Sequence, residues 1–187
     1  MNKNKLSPLV ICHIILLSVC SVMSVASAVI YFRVAGQVEV GIATFLRLIA
    51  WVQIINITAL MMGVVYLVKS SSGDADLLYR LFMLLMVAGC TVAGIANILN
   101  GGFVLMVPLT LLKITILVLL AFLEGLGKRN SWILFWIMFV LDVGMSFLYP
   151  APPSMMMNAI VSSAARLLVD GTVGFALKNR YPEPAVG

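Results

Sequence analysis

Six apolar runs divide this sequence almost from end to end, over approximately residues 8–32, 41–68, 77–99, 103–123, 131–149 and 155–177. Each is close to or above the ~20 residues that an α-helix, rising ~1.5 Å per residue, needs to cross the hydrocarbon of a bilayer. No water is available there to satisfy a backbone N–H or C=O, so runs of this length must close their hydrogen bonds within themselves. The expectation is an all-α, polytopic membrane protein: a six-transmembrane-helix bundle forming a single domain over residues 1–187. Only 10% of the residues are charged, against about a quarter in soluble domains, which leaves no room for a separate soluble unit.

The breaks between runs are short. Arg33–Val40, Lys69–Asp76, Asn100-Gly101-Gly102, Glu124–Asn130 and Pro150–Pro153 carry the polar, glycine and proline residues that a membrane helix avoids. Tight connections make sequential spans antiparallel neighbours, so the bundle reads as three helical hairpins. Lys3, Lys5 and the segment Ala26-Ser27-Ala28 resemble a secretory signal with its cleavage site. The apolar run continues through Val29–Phe32, however, which favours a retained first helix.

Charge placement orients the bundle. With the N-terminus in the cytoplasm, the inner segments and adjoining span ends receive Lys3, Lys5, Lys69, Arg80, Lys128, Arg129, Lys178 and Arg180. The outer loops receive Arg33 alone, and Arg47, Lys113 and Arg166 fall within spans. That asymmetry predicts both termini inside. The net charge of +5 is therefore explained by orientation, and no basic patch with interleaved aromatics points to nucleic acid. A compact chain of short loops fits a cell membrane, specifically a bacterial inner membrane.

The last run carries the least lipid-like residues. Asn158, Ser162, Arg166, Asp170 and Gly174 follow at intervals of four, each step turning the helical face by about 40°. Lys113 lies midway along the fourth run, and Asp142 midway along the fifth with Ser146 a turn beyond. An ionised group at mid-bilayer costs several kcal/mol unless partnered, so two cations and two anions are expected to converge between spans four, five and six. Lys113, Asp142, Arg166 and Asp170, with Asn158 and Ser162, form the candidate site for a small-molecule substrate or ion. Charge neutrality and the i,i+4 spacing of Arg166 and Asp170 equally fit a structural network that fixes helix register.

Other features read as packing. Asn56, Ala59 and Gly63 share a face, as do Gly89, Ala93 and Asn97, and Cys20, Ser24 and Ala28; small and amide residues on one face mark helix–helix contact. Cys12, Cys20 and Cys90 form no CxxC pair, and His13, the single histidine, has no second ligand in its helix. No metal site or cofactor is expected. No GxSxG, HExxH or glycine-rich phosphate loop is present, so nothing argues for an enzyme.

The function that follows is a transporter or solute-binding membrane subunit; the alternative is an accessory subunit that anchors a membrane-protein partner or a second copy of itself. In size and span number the chain loosely resembles the substrate-binding subunits of energy-coupling-factor vitamin transporters. It is a likeness of architecture.

Overall fold

A computed structural model describes residues 8–69, 73–101, 106–122, 126–148 and 156–180. All of the described regular structure is helical: α1 (Pro8–Ala35), α2 (Val40–Val68), α3 (Ala75–Leu99), α4 (Met106–Phe122), α5 (Leu126–Leu148) and α6 (Met156–Arg180). Among the described residues four helices are long and apolar enough to cross a membrane, over Ile11–Ala35, Val40–Val68, Ala75–Leu99 and Ile160–Leu177. In α4 and α5 the apolar stretches are shorter, Val107–Phe122 and Ser131–Leu141.

Helix ends follow local chemistry. α1 opens on Pro8, whose missing N–H is one of the donors a first turn leaves unused. α3 carries Asp76 in its first turn, where a carboxylate meets the positive end of the helix dipole. It closes on Asn100, whose N–H donates to Ala96 O, and on Gly101 at φ +68°, with the Gly101 N–H on Ile98 O. That left-handed residue is where a helix most often needs glycine. Helices α1, α5 and α6 run past the bounds read from the sequence, α6 to Arg180. Arg33 belongs to the last turn of α1, and Lys128 and Arg129 to the first turns of α5. Lys and Arg are good helix formers with stems long enough to reach polar surroundings, so a charge need not end the helix.

On α1 polarity is inverted relative to a helix of a water-soluble bundle. On α1 the buried residues are His13, Cys20, Ser24, Ala28, Tyr31 and Ala35, whereas Ile15, Val22, Val29 and Ile30 are exposed. Mostly small and polar residues of this helix turn inward and its branched aliphatics outward, as helix packing within lipid favours. The exposed hydroxyls obey the same logic. Ser18, Thr44, Thr58, Thr91 and Thr115 each donate to the carbonyl four residues back, at 2.7–2.9 Å, so each outward-facing hydroxyl is satisfied by its own helix. These features mark a helical membrane protein.

Helices adjacent in sequence are adjacent in space, and α6 returns against α1 to close a ring, while also touching α2 across it. One core runs through all six helices, with Phe82, Met83, Leu117, Phe135, Met138 and Val173 at its centre. A smaller cluster, Ala28, Tyr31 and Ala50, joins α1 to α2.

Glycines set the closest approaches. A Cβ on Gly89 would stand 2.9 Å from Asn56 Oδ1, so the α2 amide lies directly on the α3 backbone. A Cβ on Gly94 would meet Thr110 Cγ2 at 3.0 Å, and one on Gly174 would meet the Trp136 ring at 3.1 Å. The small-residue faces of α1 and α2 therefore do mediate contact, through buried Cys20, Ser24 and Ala28 and through buried Ala59 and Gly63. On α3 the face is rotated: Gly89 and Ala96 are buried, while Ala93 and Asn97 are half-exposed. Tyr66, near the end of α2, is buried, its ring 5.5 Å from that of Tyr79 at a tilt of 51°.

Candidate functional site

The polar seam is built on α6. Its buried face runs through Ala165, Val169, Asp170, Val173 and Leu177. Arg166 Nε lies 3.5 Å from Asp170 Oδ2, with the Asp170 side chain 1% exposed and that of Arg166 23% exposed. The i,i+4 spacing puts the pair on one helical face, so the carboxylate is compensated within its own helix. Arg166 also reaches outward: its Nη2 donates to Met86 Sδ of α3 at 3.5 Å. Beside this contact, Val169 Cγ1 and the Phe82 ring fill the space over Gly63, so α2, α3 and α6 meet closely here.

The four-residue stripe does not point one way. Ser162 faces α1, where the Cys20 thiol donates to its hydroxyl at 3.7 Å. Arg166 reaches α3, and Gly174 lies under Phe135 and Trp136 of α5. The ~40° advance at each step accumulates to about 120° from Ser162 to Gly174. Arg166 and Asp170 are thus brought together, and Ser162 belongs to the neighbouring α1–α6 contact.

Lys113 is buried on α4, at 4% exposure, on the face that also holds Thr110, Leu117 and Leu120. That helix packs on α3 and α5. Asp142 and Asn158 lie on α5 and α6, and their side chains fall outside the described residues. Arg47 is exposed, as a side chain snorkelling towards an interface would be. Among the described residues no group of three or more His, Cys, Asp or Glu could hold a metal ion. Cys12, Cys20 and Cys90 are free thiols.

A polar contact that the sequence reading undervalued joins α1 to α6. His13 is buried, with Nδ1 at 2.7 Å from Leu9 O and Nε2 at 3.0 Å from Thr172 Oγ1. Its partner lies 159 residues away, so no local ligand pattern could reveal it. The available signal was the seven-residue interval that puts His13 on the same α1 face as Cys20. The two contacts also fix direction: moving from His13 to Cys20 along α1 moves from Thr172 back to Ser162 along α6, so the helices are antiparallel.

No family model, curated protein or solved structure matches the chain.

Proposed function

We propose that this protein is a six-span transporter or solute-binding membrane subunit, with both termini in the cytoplasm of a bacterial cell and its polar site centred on α6. The observation that carries the reading is the Arg166–Asp170 pair. A carboxylate 1% exposed and a guanidinium that bridges to α3 sit in the middle of an apolar helix long enough to span lipid. Ionisable groups so placed are costly, and proteins that keep them generally use them on substrate or ion paths. Lys113 and Arg166 would hold an anionic group; Asp142 and Asp170 would hold a cation or the resting basic partners; Asn158 would add a hydrogen bond.

The accessory-subunit reading keeps one observation of its own. Arg166 and Asp170 compensate each other within a single helix, which is what a purely structural pair would do.

Paired neutralisation separates the two. The wild type and the variants Lys113→Leu/Asp142→Leu and Arg166→Leu/Asp170→Leu are reconstituted in liposomes, and transient currents are recorded on solid-supported membranes against a panel of organic anions, phosphates and amino acids. A solute-dependent current in the wild type, lost in folded double variants, supports the site. A wild type silent to the whole panel, with double variants folding as well as it does, overturns it.

A further inference from the structure

Donor counting at the α1–α6 contact leads beyond the ionic pair. Leu9 O can only accept, so His13 Nδ1 carries a hydrogen. Thr172 Oγ1 has one hydrogen and three partners within reach: Leu168 O at 2.7 Å, Val169 O at 2.9 Å and His13 Nε2 at 3.0 Å. With the imidazole neutral, Nε2 is a lone pair and needs the hydroxyl hydrogen, which then leaves the α6 carbonyls. Those carbonyls stay within the backbone ladder of α6, so their loss of the hydroxyl is cheap. With the imidazole protonated, Nε2–H donates to Oγ1 and the hydroxyl hydrogen turns to Leu168 O. Every donor is then used.

We propose that His13 Nε2 is a proton-binding site built into the α1–α6 seam, in which Thr172 reverses its hydrogen bond as the proton arrives, so the helices stay joined in both states. The proton comes from bulk water; no other bond breaks. The position suits such exchange, because His13 lies five residues, about 7.5 Å, from the start of α1. On the two helices packed against α1 the ionisable residues in the sequence are Arg47 and Tyr66 of α2, with Lys69 at its C-cap, and Arg166, Asp170, Lys178 and Arg180 of α6; α1 itself carries Cys12, Cys20, Tyr31 and Arg33. The inference stands on hydrogen-bond geometry and holds whether or not the α6 pair binds a solute.

His13 is the only histidine, so ¹⁵N-histidine labelling of the full chain in lipid bilayers gives one imidazole to read by solid-state NMR. At high pH the ring should be the Nδ1–H tautomer with an unprotonated, hydrogen-bonded Nε2, opposite to the form favoured by free imidazole side chains. Acidification should protonate Nε2 in one step. Thr172→Val should weaken proton binding about threefold or more, because the charged N–H loses its acceptor in a buried seam, and Thr172→Ser should restore it. An Nε2–H tautomer at high pH, an Nε2 that stays unprotonated on acidification, or a Thr172→Val variant that takes up the proton like the wild type would overturn the proposal. The tautomer is read on the wild type, so the test survives a variant that fails to fold.

Discussion

Val169 Cγ1 of α6 occupies the space that a side chain on Gly63 of α2 would need, only 2.6 Å from where its Cβ would stand. Phe82 of α3 closes the same gap at 3.2 Å, so one missing methyl lets three helices meet. Val is stiff at χ1 and buried here, so it cannot swing aside freely. Gly63→Ala should therefore destabilise the fold by about 1–3 kcal/mol, the usual cost of overpacking, despite alanine's better helix propensity. Adding Val169→Ala should recover much of the loss, and a double-mutant cycle on unfolding in mixed micelles measures the coupling. Additive effects would show that the two positions do not compete for space.

The buried ion pair makes a second asymmetry. Asp170→Leu leaves the Arg166 guanidinium without its compensating carboxylate and should cost about 3 kcal/mol, the lower end for a broken buried pair because Arg166 is partly exposed. Arg166→Leu/Asp170→Leu removes both charges and should be clearly milder than Asp170→Leu alone. Monodispersity after extraction and the unfolding midpoint provide the comparison. Equal losses would mean that packing, rather than charge compensation, dominates at Asp170.

Much of this was legible in the chain because lipid allows so few solutions. Run length gave the helices, and the α2 and α3 boundaries fall within two residues of the sequence reading. The face carrying Arg166 and Asp170 was also readable, since i,i+4 spacing is local geometry. What escaped was angular and long-range. The slow turn of the stripe from Ser162 to Gly174 was legible, but not that it would distribute these residues over α1, α3 and α5. His13 looked idle because its partner, Thr172, is reached only when the ring of helices closes. Which neighbour a face meets is decided by packing of the whole bundle, and no single run encodes it.

Outward and inward hydroxyls should respond differently to substitution. Thr58, Thr91 and Thr115 face outward and bond only within their own helices. Replacing each with Val exchanges a satisfied hydroxyl for a methyl against hydrocarbon, and stability should change by no more than about 0.5 kcal/mol. Ser24, 3% exposed, sits on the α1 face that also holds Cys20 and Ala28, so Ser24→Leu should cost about 1–3 kcal/mol through overpacking. Thermal unfolding of the four variants side by side tests the contrast; a tolerated Ser24→Leu would mean that this face is looser than its burial indicates.

Topology is the prediction on which the placement of every polar group depends. Lys69 and Arg80 flank the connection between α2 and α3, while the connection between α3 and α4 opens on Asn100-Gly101 without a charge. Positive charge is retained on the cytoplasmic side, so a reporter fused after Gly73 should be active only if it works inside the cell, and one fused after Gly101 only if it works outside. Paired fusions to green fluorescent protein and alkaline phosphatase read both signs at each site. The orientation should also yield to charge: Lys69→Gln and Arg80→Gln combined with two lysines inserted after Gly36 removes cations from one side and adds them to the other. That variant should show mixed orientation, whereas the insertion alone should shift it less. Phosphatase activity after Gly73 in the wild type would reverse the bundle, carrying His13 and its neighbouring helix ends to the outer face.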